Sequence, residues 1–277
     1  MKSFGSEGIL LPVYFIMLGV AAYLNFFSGS KVDMVNVLIN ICMFLIVGGI
    51  ILWANTHCFM PINRMMSSLH LASRNFKTDF DKKRDYLWDD YKNNAKLFNN
   101  KLADKRFYEY CQEKKRLDML NRSSQCDIDD YLNEYYIDAI MKRGLVSIVP
   151  GVMTGLGILG TFVGLSFGLQ NFHTENAAAI TNSIAPLMDG IKIAFHTSIY
   201  GMVFSLIFNF VYKKNLEDAY MAMDEFLESY HKYVAPKPEN NTTGLLLEYQ
   251  TLQMMQMEEL LDKFGDDLAE KIAKALR

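Results

Sequence analysis

Two runs of hydroxyls set in otherwise apolar sequence are the side chains best placed to do chemistry. In "GLGILGTFVGLSFG", Gly155 to Gly168, a lone Thr161 stands among glycines and large apolar residues. Ser147, Thr154, Thr161 and Gly168 are spaced by seven and fall on nearly one face of a helix. Ser198, Gly201, Ser205 and Asn209, spaced by three and four, share a face of a second helix. Facing a common axis, the two stripes would line a narrow polar path through an apolar bundle. The alternative is structural, because Ser and Thr in membrane helices bond back to their own carbonyls or join neighbouring helices. Depth favours the path. Thr161 lies about eight residues before the outer end of its run and Ser198 about five after the outer start of the next, which puts both roughly 8–12 Å below one membrane edge at 1.5 Å per residue.

Neither stripe contains a carboxylate, and hydroxyls do not titrate as a proton path requires. The essential carboxylate is therefore expected from another subunit. His196 lies beside the Ser198 face, as a helix–helix hydrogen bond or as a relay. Asp189 and Lys192, three apart, either pair on the helix or guard an outer vestibule.

The elements that position these groups must pack closely. Gly151 and Gly155 are four apart, as are Gly160, Gly164 and Gly168, and Gly201 sits on the second stripe. Small residues at that spacing let helix backbones approach in lipid, where no hydrophobic effect drives association.

Charge is distributed in blocks. It is nearly absent from about 8–28, 35–56 and 145–212, and it crowds into 62–143 and 213–277. A soluble domain spreads charge over its whole surface, so this alternation predicts an all-α integral membrane protein. Four apolar runs are near the ~20 residues needed to span a bilayer: Ile9–Phe27, Val35–Trp53, Leu145–Leu169 and Ile193–Tyr212. The first reads as a retained helix rather than a cleaved signal, since its start is barely basic and no small-x-small cleavage site follows. Lys and Arg crowd the block from Arg64 to Arg143 and follow the fourth run as Lys213 and Lys214, whereas the loops Ser28–Met34 and Gln170–Asn182 hold only Lys31. The positive-inside rule then places both termini and the central block in the cytoplasm.

The domain reading is 1–56, two transmembrane helices; 57–144, a cytosolic helical domain; 145–212, the pore-lining pair with a short outer loop; and 213–277, a helical extension with an amphipathic C-terminal helix. The central block reads as a solvated helical spacer, with a partner-contact surface as the alternative. The helix after the fourth run is expected to continue through "KKNLEDAYMAMDEFLESYHKY" and to break at "VAPKPENNTTG". A last amphipathic helix is expected over Leu245–Leu276, with Leu252, Met255, Leu260, Leu261, Phe264, Leu268, Ile272 and Leu276 at helical spacing. Cys111 and Cys126 read as reduced thiols, and no histidine stands near them at zinc-ligand spacing.

"GLGILGTFVGL", then an outer loop, then "IAPLMDGIKIAFHTSIYGMVFSLIF" resembles the MotA/TolQ/ExbB family of ion-channel subunits. The resemblance covers about 145–212. It implies a homo-oligomeric, pentameric ring around two copies of a single-span MotB/ExbD/ZorB-like subunit, whose transmembrane aspartate is protonated and deprotonated as ions pass. It aligns the hydroxyl of the family's G-T motif with Thr161 and that of the last span with Ser198, Thr197 being the neighbouring option. Within the family the wording looks most like the ZorA branch of anti-phage defence, while four spans resemble the MotA-like flagellar stator branch.

The resulting expectation is a channel-forming subunit of an ion-driven rotary motor in the bacterial inner membrane, multi-pass, with anti-phage defence as a role. It is not expected to be an enzyme, to hold a cofactor or to bind nucleic acid directly. The ion is H⁺, with Na⁺ as the alternative. A flagellar-stator-like or transport-energising motor, a secondary transporter and a packed scaffold without flux are the rival readings.

Overall fold

Long apolar runs without internal charge satisfy their backbones only as helices when water is absent. In the computed structural model every regular element among the described residues is helical. Described are residues 6–26, 34–94, 96–98, 100–119, 126–170, 172–173, 177–237, 249–261 and 263–265. After a 3-10 turn the first apolar run forms α1 (Leu10–Phe26) and the second α2 (Met34–Ala54). A π-helical turn over Asn55–Phe59 carries α2 into α3 (Met60–Lys83) without a break. Then come the single turn α4 (Trp88–Tyr91), α5 (Lys101–Met119), α6 (Glu134–Met141), the single turn α7 (Arg143–Val146), α8 (Val149–Gln170) and α9 (Ala177–Tyr233).

Among the described residues, three helices are long and apolar enough to cross a membrane: Val37–Lys83, Arg143–Gln170 and Ala178–Tyr233. The sequence predicted four. The first run yields 17 helical residues among those described, about 26 Å at 1.5 Å per residue, against a ~30 Å hydrocarbon core. It lies against α2 in the opposite sense. Gly8 and Leu11 share a cavity with Asn55 and Met60, while the Tyr14 hydroxyl donates to the Phe44 carbonyl at 3.0 Å.

Past the apolar segments, the α2–α3 rod and α9 run side by side in the same direction. Phe59 meets Phe208, Phe76 meets Phe226 and Phe80 meets Tyr233, with ring centroids 5.8, 5.8 and 5.1 Å apart. α5 closes over them, bringing Phe107 and Tyr110 against Tyr230. Phe76, Phe98, Phe107, Tyr110, Phe226 and Tyr230 are fully buried. The central block is thus a packed domain with an aromatic core, and the spacer reading is corrected. Its apolar side chains come from segments more than a hundred residues apart, so no local periodicity announces them.

Two boundaries also differ. Residues 177–182, read as outer loop, are helical, and α9 runs 57 residues unbroken with Pro186 inside it. Ala177–Ala179 are strong helix formers, and Pro186 in the third turn removes one backbone bond, to the Asn182 carbonyl, without ending the helix. At the other end α9 stops at Tyr233, as "VAPKP" predicts. Residues 249–261 form a helix exposed along its length, 263–265 are helical and exposed as well, and Leu245, Leu268, Ile272 and Leu276 of the expected C-terminal helix lie outside the described residues.

Candidate functional site

The glycines of α8 build a seam with α9. A Cβ on Gly157 would lie 3.1 Å from the Cα of Gly201, and one on Gly160 2.5 Å from Thr197 Oγ1. One on Gly164 would lie 2.8 Å from the Ala194 nitrogen, and one on Gly168 3.2 Å from the Cα of Gly190. As numbers rise on one helix they fall on the other, so the pair is an antiparallel hairpin in backbone contact. Gly155 stands apart: nothing lies within 4 Å of a Cβ placed there. The four-residue step from Gly151 selected the wrong face. The seam follows Met153, Gly157, Gly160, Gly164 and Gly168 instead, and on α9 it follows Gly190, Ala194, Thr197 and Gly201. Gly190 and Gly157 were missed, although the small residues of "GIKIAFHTSIYG" carry the same spacing signal.

The hydroxyls flank this seam. At about 100° per residue Thr161 lies roughly 40°, and Thr154 roughly 60°, forward round α8 from Gly157. On α9, Ser205, Ser198 and Asn209 lie roughly 80–120° forward from Thr197. Because the helices run in opposite directions, moving forward round each leads to the same flank of the hairpin. All five residues are half-buried, as a flank requires. Thr161 follows Gly160 and Ser198 follows Thr197, so both stand at the level of the Gly160–Thr197 contact.

The other flank is covered. Tyr200 and Phe204 face it and pack on Phe44 of α2, with ring centroids 5.4 and 5.8 Å apart. Tyr14 of α1 reaches Phe204 at 6.0 Å. His196 belongs there, 6.3 Å ring to ring from Tyr200, and not beside the Ser198 face as read from the sequence. Its Nδ1 is buried without a hydrogen-bond partner among the described residues. The stripes of hydroxyls therefore turn away from α1 and α2.

Each threonine donates to its own helix. Thr154 reaches the Pro150 carbonyl at 3.1 Å, Thr161 that of Ile158 at 2.6 Å, and Thr197 those of Ile193 and Ala194 at 2.9 and 3.1 Å. A hydroxyl whose proton is committed to a carbonyl keeps oxygen lone pairs to offer outward. It can accept from water or a protonated carboxyl, or ligate a cation. Thr197 is fully buried in the seam and offers no such face to the flank. Asp189 and Lys192 form an exposed pair at 3.0 Å in the N-terminal part of α9.

Outside the apolar segments the titratable groups form structural knots. Asp129 accepts from Lys237 at 2.8 Å and lies 3.0 Å from His231 Nε2, with Asp127 at 3.4 Å from the same nitrogen. Although Asp127, Asp129 and His231 converge as metal ligands do, Lys237 already supplies Asp129 with a cation. Burial pushes Asp129 up, but the hydrogen bonds from Lys237 and His231 outweigh it and hold the carboxyl below its ordinary value. Burial also pushes the Cys111 thiol up to about 12, only partly offset by Lys115 and Lys114. Nearer the apolar segments, Asp138 accepts from Arg143 at 2.9 Å and from the Tyr220 hydroxyl, tying the entry of α8 to α9.

Residues 65–239 match the family model of the anti-phage protein ZorA of the Zorya type I system. A Zorya protein ZorA of Escherichia coli (strain ATCC 8739) is 53% identical over 60 residues, 22% of this chain and 10% of that protein. A second Zorya protein ZorA, from Escherichia coli O139:H28 (strain E24377A), is 27% identical over 96 residues, 35% of this chain and 13% of that one. The matched stretches thus span only about a tenth of the length of these curated relatives.

Proposed function

The chain belongs to the family of the anti-phage protein ZorA of the Zorya type I system, and from that premise we propose that it is the channel-forming subunit of an ion-driven motor serving anti-phage defence. The observation that carries the reading is the shared flank: Thr154, Thr161, Ser198, Ser205 and Asn209 on one side of the α8–α9 hairpin, with α1 and α2 on the other. A ring of such hairpins, five in the proposed assembly, turns its mildly polar flanks inward and its apolar helices toward lipid. α1 supplies a fourth crossing beside α2, and both termini are cytoplasmic in the inner membrane.

Two single-span partner helices occupy the centre, each carrying an aspartate. In its protonated form that carboxyl is neutral, tolerates an apolar surround and donates to an outward lone pair on Thr161 or Ser198. In its charged form it is costly to bury and is driven toward water. Alternation between the two states turns ion flow into relative motion of ring and partner. One charge crossing 100 mV releases about 2.3 kcal/mol, so a few ions per step suffice for conformational work. H⁺ is the proposed ion, and Na⁺ would use the same oxygens as ligands.

The test is ion flux in proteoliposomes holding the chain with its single-span partner, comparing wild type with Thr161→Ala and Ser198→Ala. Partner-dependent flux, lost in either variant while the complex stays intact, is the expected result. Unchanged flux in both variants removes the hydroxyls from the pathway.

A further inference from the structure

A second site lies where the α1–α2 pair leaves the apolar zone. A cavity of about 810 Å³ opens between the start of α1, the π-helical turn, the first turns of α3 and the start of α5. That volume is within the ~300–1,000 Å³ of small-ligand clefts. Leu11, Leu71 and Phe98 form apolar wall, while Arg64, Lys101 and Asn55 line its polar part.

Its charge is one-sided. From Asn55 to Thr78 the sequence holds Arg64, Arg74 and Lys77 and no carboxylate. No ion pair joins Arg64 or Lys101 to an acid among the described residues. Helical side chains lean toward the N-terminus of their helix, which on α3 is the membrane side. Arg64 does this, donating from Nη2 to Met60 Sδ at 3.3 Å, one turn back. The guanidinium thus hangs about 10 Å beyond Trp53, counting the seven residues from Trp53 to Met60 at 1.5 Å, at the depth of lipid headgroups.

We propose that this cavity binds the phosphodiester head of an anionic phospholipid from the leaflet on the charged-domain side, with an acyl chain lying along Leu11. Both cations line the part of the cavity that takes the phosphate, Asn55 and Asn100 offer amide donors, and the apolar wall continues into the hydrocarbon. The proposal rests on α2 crossing a membrane and not on ion flow, so a failed flux experiment leaves it standing.

Native mass spectrometry of the full chain in detergent, titrated with phosphatidylglycerol or phosphatidylcholine, tests it. Phosphatidylglycerol should bind at least about fivefold more tightly, one basic residue near the surface contributing about that factor. Arg64→Gln should lose about fivefold and Arg64→Gln with Lys101→Gln about thirtyfold, while Arg64→Lys keeps most of the affinity. Equal binding of the two lipids, or selectivity unchanged in the double variant, would overturn the proposal. Displacement by soluble glycerol 3-phosphate would make this a free-phosphate site and overturn the lipid assignment. Disulfide cross-linking of Ser67→Cys between copies in the assembled complex would make the cavity a subunit seam, with the same consequence. Melting in lipid-free detergent checks that the variants fold; should the double variant fail, the exposed Lys101→Gln alone carries the measurement.

Discussion

Gly168 and Gly190 meet backbone to backbone: a Cβ on Gly190 would lie 2.6 Å from the Cα of Gly168 and 2.6 Å from the carbonyl oxygen of Gly164. Neither atom belongs to a flexible side chain that can move aside. Gly190→Ala should therefore force the α8–α9 seam apart and destabilise the protein by about 1–3 kcal/mol, the usual range for overpacking. Gly155→Ala meets open space and should leave stability unchanged or raise it by up to ~1 kcal/mol through helix propensity. Thermal melts of the two variants in one detergent check the pair, and a Gly155→Ala protein that melts as low as Gly190→Ala contradicts the assigned face.

Thr197 and Thr161 are separated by the same seam. Thr197 is fully buried against Gly160, while Thr161 is half-exposed on the flank. Thr197→Val keeps the shape and loses only back-bonds to its own helix, so flux should persist at a large fraction of wild type. Thr161→Val keeps shape equally well yet removes an outward oxygen, and flux should fall at least tenfold. The reverse ranking would move the pathway from the flank into the seam.

Cys111 bears on the packed state of the charged domain. With its thiol pushed up to about 12 by burial, the thiolate fraction at pH 7 is on the order of one in 10⁵. Cys126, also buried, has its thiol pushed up by burial too. Both should resist maleimide in the folded protein and react within minutes once it is unfolded. Rapid labelling of Cys111 under native conditions would show that the aromatic core opens locally.

Asp129 sets an acid limit on the end of α9. Its carboxyl is held below its ordinary value, so its contribution is complete above the unfolded pKa near ~3.9 and is lost as pH falls through the lower folded value. Asp129→Asn should cost a few tenths to ~1 kcal/mol at neutral pH, since the side chain is only partly shielded. The same variant should flatten the stability profile below about pH 4. A variant whose acid profile matches wild type would assign the acid sensitivity elsewhere.

What the sequence discloses here follows from how local each signal is. The apolar runs, the break at "VAPKP" and the hydroxyl spacings are local, and the helices carry them where periodicity indicates. The seam was only half legible, because six glycines in α8 allow more than one four-residue ladder. Gly155 and Gly157 differ in role solely through the partner helix. His196 sits next in sequence to Thr197 but lies against Tyr200, on the flank where Tyr200 and Phe204 pack on Phe44 and Tyr14, residues more than a hundred positions away. The aromatic core of the charged domain was hidden for the same reason: Tyr110 and Tyr230 bond hydroxyl to hydroxyl at 3.1 Å across 120 residues.

The unbroken course of α9 has a mechanical corollary. From Thr197 to Tyr233 the helix runs 36 residues without interruption, about 54 Å at 1.5 Å per residue. Over that length it is a stiff lever whose fulcrum sits at the hydroxyl level. A tilt of about 5° there sweeps Tyr233 through about 5 Å. Tyr233 accepts from the Leu87 nitrogen at 3.1 Å, so the far end of the lever is pinned to the chain that follows α3. In the proposed motor, an event the size of one side chain deep in the apolar zone would be delivered at the far end of α9 as a displacement of several ångströms.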